Sequence, residues 1–141
     1  MATAQASIEL SVSADTVWAL IGGFGSLPDW LPYIPQSDLS EGGRIRTLAN
    51  PAGASIVERL LAFDHEDRSY SYAILEAPFP VTGYRSTLRV IPSADGKGAR
   101  VDWSGVFTPT TVSDDEASAL FRGIYEDGLK ALAQHSTIQR A

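Results

Sequence analysis

The chain contains no cysteine, which excludes disulfides, thiolate zinc sites and cysteine nucleophiles. Histidine is nearly as scarce. His65 and His135 are the two present, and neither has a second ligand at metal-binding spacing, so no metal site is expected. Lysine and arginine number 11 against 17 acidic residues, and the basic residues form no run. A net charge of −6 makes a poor partner for nucleic acid. No apolar stretch approaches the roughly 20 residues of a membrane span, so no stable membrane insertion is expected. The opening Met1-Ala2-Thr3-Ala4-Gln5 has neither the basic region nor the apolar core of a signal peptide. A cytoplasmic location is the expectation that follows.

What is present is ordinary for a folded chain. The 141 residues suit one domain, 1–141, with a sizeable core. Ser7 to Val12 alternates polar and apolar, as a half-buried strand does. Ser13 can cap a following helix whose apolar stripe is Val17, Trp18, Leu20 and Ile21. Leu27 to Pro32 reads as a second short helix, with Pro28 early and Pro32 stopping it. Pro35 to Ser40 leads into a turn at Glu41-Gly42-Gly43, and a strand follows from Arg44 to Leu48. Asn50-Pro51-Ala52-Gly53 is turn-rich. Strands then follow at Ala54–Asp64, Ser69–Glu76, Thr82–Pro92 and Arg100–Thr108, joined by short turns. Ser113 and Glu116 stand in capping-box register before a helix from Asp114 to Ala133, with Leu120, Phe121, Ile124, Leu129 and Leu132 on its apolar side. Hairpins this short cannot make parallel crossovers. The expected fold is α+β: a curved antiparallel sheet of six or seven strands around one long C-terminal helix.

One residue departs from this pattern. Glu58 sits in Ser55-Ile56-Val57-Glu58-Arg59-Leu60-Leu61 and shares a face with Ile56 and Leu60 by alternation. On a buried face its carboxylate costs several kcal/mol unless it is paired, hydrogen-bonded or neutralised. The other face, with Val57, Leu61 and Phe63, could equally be the buried one, and parity alone does not choose.

The whole arrangement resembles the helix-grip fold of the START, birch-pollen-allergen and polyketide-cyclase superfamily. Gly43-Arg44-Ile45-Arg46 and Val57-Glu58-Arg59-Leu60 look like the corresponding strands of plant abscisic acid receptors and lachrymatory factor synthase. Ser69-Tyr70-Ser71-Tyr72, Gly83-Tyr84 and Gly98 to Ser104 look like the synthase. The resemblance implies that Glu58 points inward and that Arg46 and Glu58 form a proton-transfer pair. It also implies that Tyr72, Tyr84 and Trp103 line a ligand cavity, joined by Phe121 and Ile124 from the helix. The receptors' His-Arg-Leu latch has no counterpart in Ala77-Pro78-Phe79-Pro80, so hormone sensing is not implied. The segment from Leu48 to Ala54 is shorter than the synthase's, so its sulfenic-acid substrate is not implied either.

The bland alternatives stand beside these. Arg46 and Glu58 could be an internal ion pair that only satisfies two buried charges, and the three aromatics could be plain core. Trp18 reads as core, whereas Trp30 and Tyr33 could close a cavity mouth. His135 reads as a last-turn residue. Ser104 lacks a histidine base in any motif, and Gly42-Gly43 precedes no helix, so neither a hydrolase triad nor a phosphate loop is supported and no cofactor is expected. Two functions follow. One is a binder of a small apolar or aromatic, polyketide-like molecule, as monomer or homodimer. The other is a cyclase, dehydratase or isomerase using Glu58 and Arg46. A docking role toward another protein has no exposed apolar stripe in its favour.

Overall fold

A computed structural model describes residues 1–49 and 52–139. Seven strands form one sheet in the order β1-β7-β6-β5-β4-β3-β2. They are β1 (Ala2–Leu10), β2 (Gln36–Ser40), β3 (Ile45–Ala49), β4 (Ser55–Asp64), β5 (Ser69–Glu76), β6 (Val81–Pro92) and β7 (Ala99–Pro109). Every pairing is antiparallel, as short hairpins require. The edge strands β1 and β2 are connected by helices α1 (Ala14–Ile21) and α2 (Leu27–Trp30). Helix α3 (Asp114–Gln134) packs on β1 and β7, and a last turn, α4 (Ser136–Gln139), follows it. No helix among the described residues is long and apolar enough to cross a membrane.

The helix starts follow their caps. Ser13 Oγ accepts from the Thr16 amide at 3.2 Å, and Ser113 and Glu116 close a reciprocal capping box. Each satisfies donors that a bare helix start leaves open. Of α3, Ala117, Phe121, Tyr125, Gly128, Leu129 and Leu132 are buried, a stripe at helical spacing. Leu120 is not part of it and is 39% exposed. His135 lies outside the last turn, where its Nδ1 accepts from the Thr137 amide at 3.1 Å.

Two strands differ from the sequence reading. β1 begins at Ala2 rather than Ser7, because Ala2 pairs with Phe107 and the ladder runs on from there. Alanine is a weak strand former, and pairing overrides that weakness. β2 occupies Gln36–Ser40, which the sequence shows only as a lead into a turn. It has one neighbour, β3, and an almost wholly exposed surface, so no periodic apolar signal marks it. The Asn50-Pro51 part of the expected turn lies outside the described residues.

The face of β4 that carries Glu58 is buried, and a bulge changes the parity further along the strand. Leu60 pairs with Tyr72, Ala62 with Ser71 and Phe63 with Tyr70, so Leu61 is skipped. Glu58, opposite Arg46, faces inward at 6% exposure, while Leu61 is 41% exposed. Past the bulge, Phe63 returns to the Glu58 side and meets the ring of Trp18 at 5.6 Å.

Gly128 lets α3 sit down on the sheet. A Cβ there would lie 2.6 Å from Trp103 and 3.0 Å from the Tyr33 hydroxyl, whereas a Cβ at Gly123 would meet nothing within 4 Å. The two glycines of one helix should therefore respond oppositely to alanine. Gly123→Ala is expected to stabilise by about 0.5–1 kcal/mol, the helix-propensity gain. Gly128→Ala is expected to destabilise by about 1–3 kcal/mol through overpacking. Urea unfolding midpoints of the two variants decide it, and a shift of the same sign in both would contradict this seating of the helix.

Candidate functional site

Arg46 and Glu58 are direct cross-strand partners in the β3–β4 ladder. Same-face residues in that position come close enough to interact, and Arg46 Nε donates to Glu58 Oε1 at 2.7 Å. The arginine side chain is 1% exposed and the glutamate 8%. Moving two such charges out of water costs several kcal/mol per ion unless their remaining groups are satisfied. Arg46 Nη1 donates to the Phe24 carbonyl at 3.0 Å and to the Tyr70 hydroxyl at 3.2 Å. Its guanidinium also lies 4.2 Å from the Phe24 ring centre and 4.7 Å from that of Tyr72, a cation–π setting that replaces part of the lost hydration. Burial opposes the arginine's charge, but Tyr70, Glu58 and Tyr72 outweigh it, so Arg46 stays cationic. For Glu58 burial wins. Desolvation raises its pKa above the ordinary carboxylate range despite the opposing pull and hydrogen bond of Arg46.

The pair stands on the wall of a cavity between sheet and helix. Tyr72, Tyr84 and Trp103 border it from β5, β6 and β7, and Phe121 and Ile124 border it from α3. The expected site residues are thus brought together around one space. The sequence reading missed Tyr125 and offered Tyr33 only for the cavity mouth; both border the space. Tyr125 was legible, since it follows Phe121 at helical i,i+4 spacing. Tyr33 lies in irregular chain after α2, where no periodicity assigns a face. Trp30, at 2% exposure, packs against Trp103 with ring centres 5.8 Å apart and does not border the cavity. Trp18 is core, and its indole nitrogen donates to His65 Nδ1 at 2.9 Å.

The size departs from expectation. Pockets of this type are expected to enclose several hundred Å³, whereas this cavity measures about 70 Å³, room for a few water molecules or one small ring. Rings contributed from both sides fill the rest. Tyr84 lies 4.9 Å from Phe121, and Trp103 stacks on Tyr125 at 4.9 Å. Phe79, edge-on to Phe121 at 5.2 Å, borders both this cavity and a surface depression of about 320 Å³ at the β5–β6 connection. A larger hollow of about 630 Å³ runs over Ser71, Arg85 and Thr87. It is open, and its titratable side chains, Arg85 and Arg122, are exposed, so the small internal cavity is the better candidate.

Polar atoms around the cavity are mostly paired with each other. Trp103 Nε1 donates to the Tyr72 hydroxyl and to Ser86 Oγ, each at 3.1 Å, and Ser86 donates to the Ser104 carbonyl at 2.7 Å. The hydroxyls of Tyr84 and Tyr125 bond to each other. Burial raises the pKa of Tyr72, Tyr84 and Tyr125, so these phenols remain protonated near neutral pH. Among the described residues bordering the cavity, Glu58 is left as the one group suited to exchanging a proton there.

The direction of the Glu58 shift has a measurable consequence. Its carboxyl titrates above the ordinary glutamate range when folded and within that range when unfolded. The stabilisation is therefore complete below the ordinary range and is lost as pH rises through the raised value. The stability of the wild type relative to Glu58→Gln should fall as pH rises above the ordinary glutamate range. The fall is about 1.4 kcal/mol for each pH unit the window spans. Unfolding midpoints of both proteins across pH test this. A difference that instead grows with pH would mean that Arg46 overcomes desolvation and holds the carboxylate ionised.

Comparison with known proteins agrees with this fold. Residues 1–137 match the family described as "Polyketide cyclase / dehydrase and lipid transport". The protein XoxI from Bacillus cereus is 57% identical, with a TM-score of 0.92 over 95% of this chain and 94% of that one. Two more distant structures share the fold. A START superfamily protein from Mycobacterium smegmatis is 14% identical, with a TM-score of 0.77 over 98% of this chain and 97% of that one. Norcoclaurine synthase from Thalictrum flavum, in complex with dopamine and hydroxybenzaldehyde, is 20% identical, with a TM-score of 0.71 over 94% and 84%. With nearly its whole length matched and a long helix packed on a seven-stranded antiparallel sheet, the chain belongs to the polyketide cyclase/dehydrase and lipid transport family of the SRPBCC superfamily.

Proposed function

We propose that residues 1–141 form one ligand-binding domain that holds a small, apolar, ring-containing molecule in the cavity between α3 and the sheet. The observation that carries this reading is an internal cavity with aromatic walls and one buried charge pair, Arg46–Glu58, on its side. Such a space offers apolar contact over most of a ligand and a few polar anchors that orient it. Family membership supports a small hydrophobic ligand. The volume of about 70 Å³ favours a single ring. A larger, polyketide-like molecule requires Phe79 to swing away and join the cavity to the depression outside it. In the fold neighbour norcoclaurine synthase the ligands are dopamine and hydroxybenzaldehyde, both of single-ring size.

A second reading is favoured by the raised pKa of Glu58. A carboxyl that exchanges its proton nearer neutrality can serve as general acid or base, worth roughly two to four powers of ten in rate. The chain would then be an enzyme of the cyclase, dehydratase or isomerase kind. Arg46 Nε and Nη1 are committed to Glu58, Phe24 and Tyr70, which makes Arg46 the group that positions Glu58.

A melting-temperature screen against single-ring aromatics and polyketide-like compounds tests the first reading. At a hundredfold excess over Kd a true ligand adds about 2.7 kcal/mol, which raises the melting temperature of a chain this size by about 8 °C. Glu58→Gln then separates the readings. In a binder it alters affinity or stability, whereas in an enzyme it abolishes conversion of the compound found. If no compound moves the melting temperature, the cavity is packing and the proposal fails.

A further inference from the structure

Around the cavity one polar atom stands apart. Arg46, Glu58, Tyr72, Tyr84, Trp103 and Tyr125 each have a hydrogen-bond partner within the protein. The hydroxyl of Tyr33 is buried and has none among the described residues, although the residue borders the same space. Buried hydroxyls are almost always satisfied, because an unmade hydrogen bond costs free energy. Its place is well defined. Tyr33 reaches in from the chain after α2, and its hydroxyl lies 3.0 Å from where a Cβ on Gly128 would sit, a point 2.6 Å from Trp103. It thus stands beside β7 and α3, while Glu58 comes from β4, three strands across the sheet.

We infer that the Tyr33 hydroxyl is a second polar anchor of the cavity, donating a hydrogen bond to an acceptor oxygen, of carbonyl or ether type, on a ring-bearing ligand. This rests on the reading of the cavity as a ligand site. Burial, reinforced by the nearby Asp127 carboxylate, pushes the Tyr33 pKa up to about 12, so the phenol keeps its proton and acts as a donor. The Arg46–Glu58 pair and Tyr33 then hold different parts of one molecule, and Tyr33 discriminates among ligands that fit the space equally. Discrimination of this kind arises because a buried donor rejects an analogue that lacks the matching acceptor.

The test compares acetophenone with α-methylstyrene, which has the same shape but carries a methylene in place of the carbonyl oxygen. Affinities of both are measured by NMR titration against the wild type and Tyr33→Phe. The wild type should prefer acetophenone by about tenfold. Tyr33→Phe should lose that preference to within about twofold while binding α-methylstyrene undiminished. With no ligand, Tyr33→Phe should melt at or above the wild type, since no hydrogen bond to the described residues is lost. Independently of any variant, the carbonyl carbon of ¹³C-labelled acetophenone bound to the wild type should resonate downfield of its position in apolar solvent. A preference that survives in Tyr33→Phe, equal wild-type affinity for both probes, or a carbonyl signal unchanged from apolar solvent overturns the inference and leaves the cavity reading intact. Failure of both probes to bind the wild type overturns the cavity reading, and this inference with it.

Discussion

The pairing of Arg46 with Glu58 is the interaction on which the rest of the arrangement depends. Both charges are removed from water, and neither Coulomb attraction nor one hydrogen bond alone offsets that loss. The remainder comes from elements far apart in sequence. The Phe24 carbonyl is supplied by the connection between α1 and α2, and the Tyr70 hydroxyl and Tyr72 ring come from β5. One guanidinium thus ties together β3, β4, β5 and the α1–α2 connection. Removing either partner leaves the other charge buried and uncompensated, which is the costly case, whereas the intact group costs little. A pair held this way orients its carboxylate toward the cavity and shifts its proton affinity at the same time.

The second constraint is the amount of aromatic surface placed between α3 and the sheet. Phe121 contacts Tyr84, Phe107 and Phe79, and Tyr125 stacks on Trp103. A helix lying across a curved sheet leaves space that side chains need not fill, and here large rings fill most of it. Two glycines adjust the fit. Gly128 admits Trp103 against the helix, and a Cβ on Gly105 would lie 2.3 Å from the Tyr125 hydroxyl. The cavity that remains is small because ring volume has been spent on packing. Such close packing makes the identity of the few polar atoms around the cavity matter more than its volume.

Family membership and site chemistry answer different questions. The family follows from a match over residues 1–137 and a relative of 57% identity over nearly the whole chain. The fold neighbours of 14% and 20% identity speak to architecture, since one fold hosts many functions. What this chain does with its cavity turns on Glu58, Arg46 and the tyrosines around them, and on whether a ligand meets them.

Much of the architecture was legible in the residues themselves, because it rests on local rules. The capping box at Ser113 and Glu116, the period-two runs of β4 to β7 and the turn residues between them determine helix, strands and antiparallel pairing without reference to distant chain. The weakly patterned ends escaped this reading. The alanine-rich start of β1 and the exposed edge strand β2 become strands only through their partners. The orientation of Glu58 was undecidable from alternation, and the bulge at Leu61, a property of pairing between β4 and β5, is what lets Glu58 and Phe63 share one face. Arg46 and Glu58 could be named from the sequence through resemblance. Their 2.7 Å contact, the raised glutamate pKa and a Tyr33 hydroxyl without a partner among the described residues exist only once strands and helices from across the chain enclose them. Desolvation and register belong to the assembled sheet, and no single segment carries them.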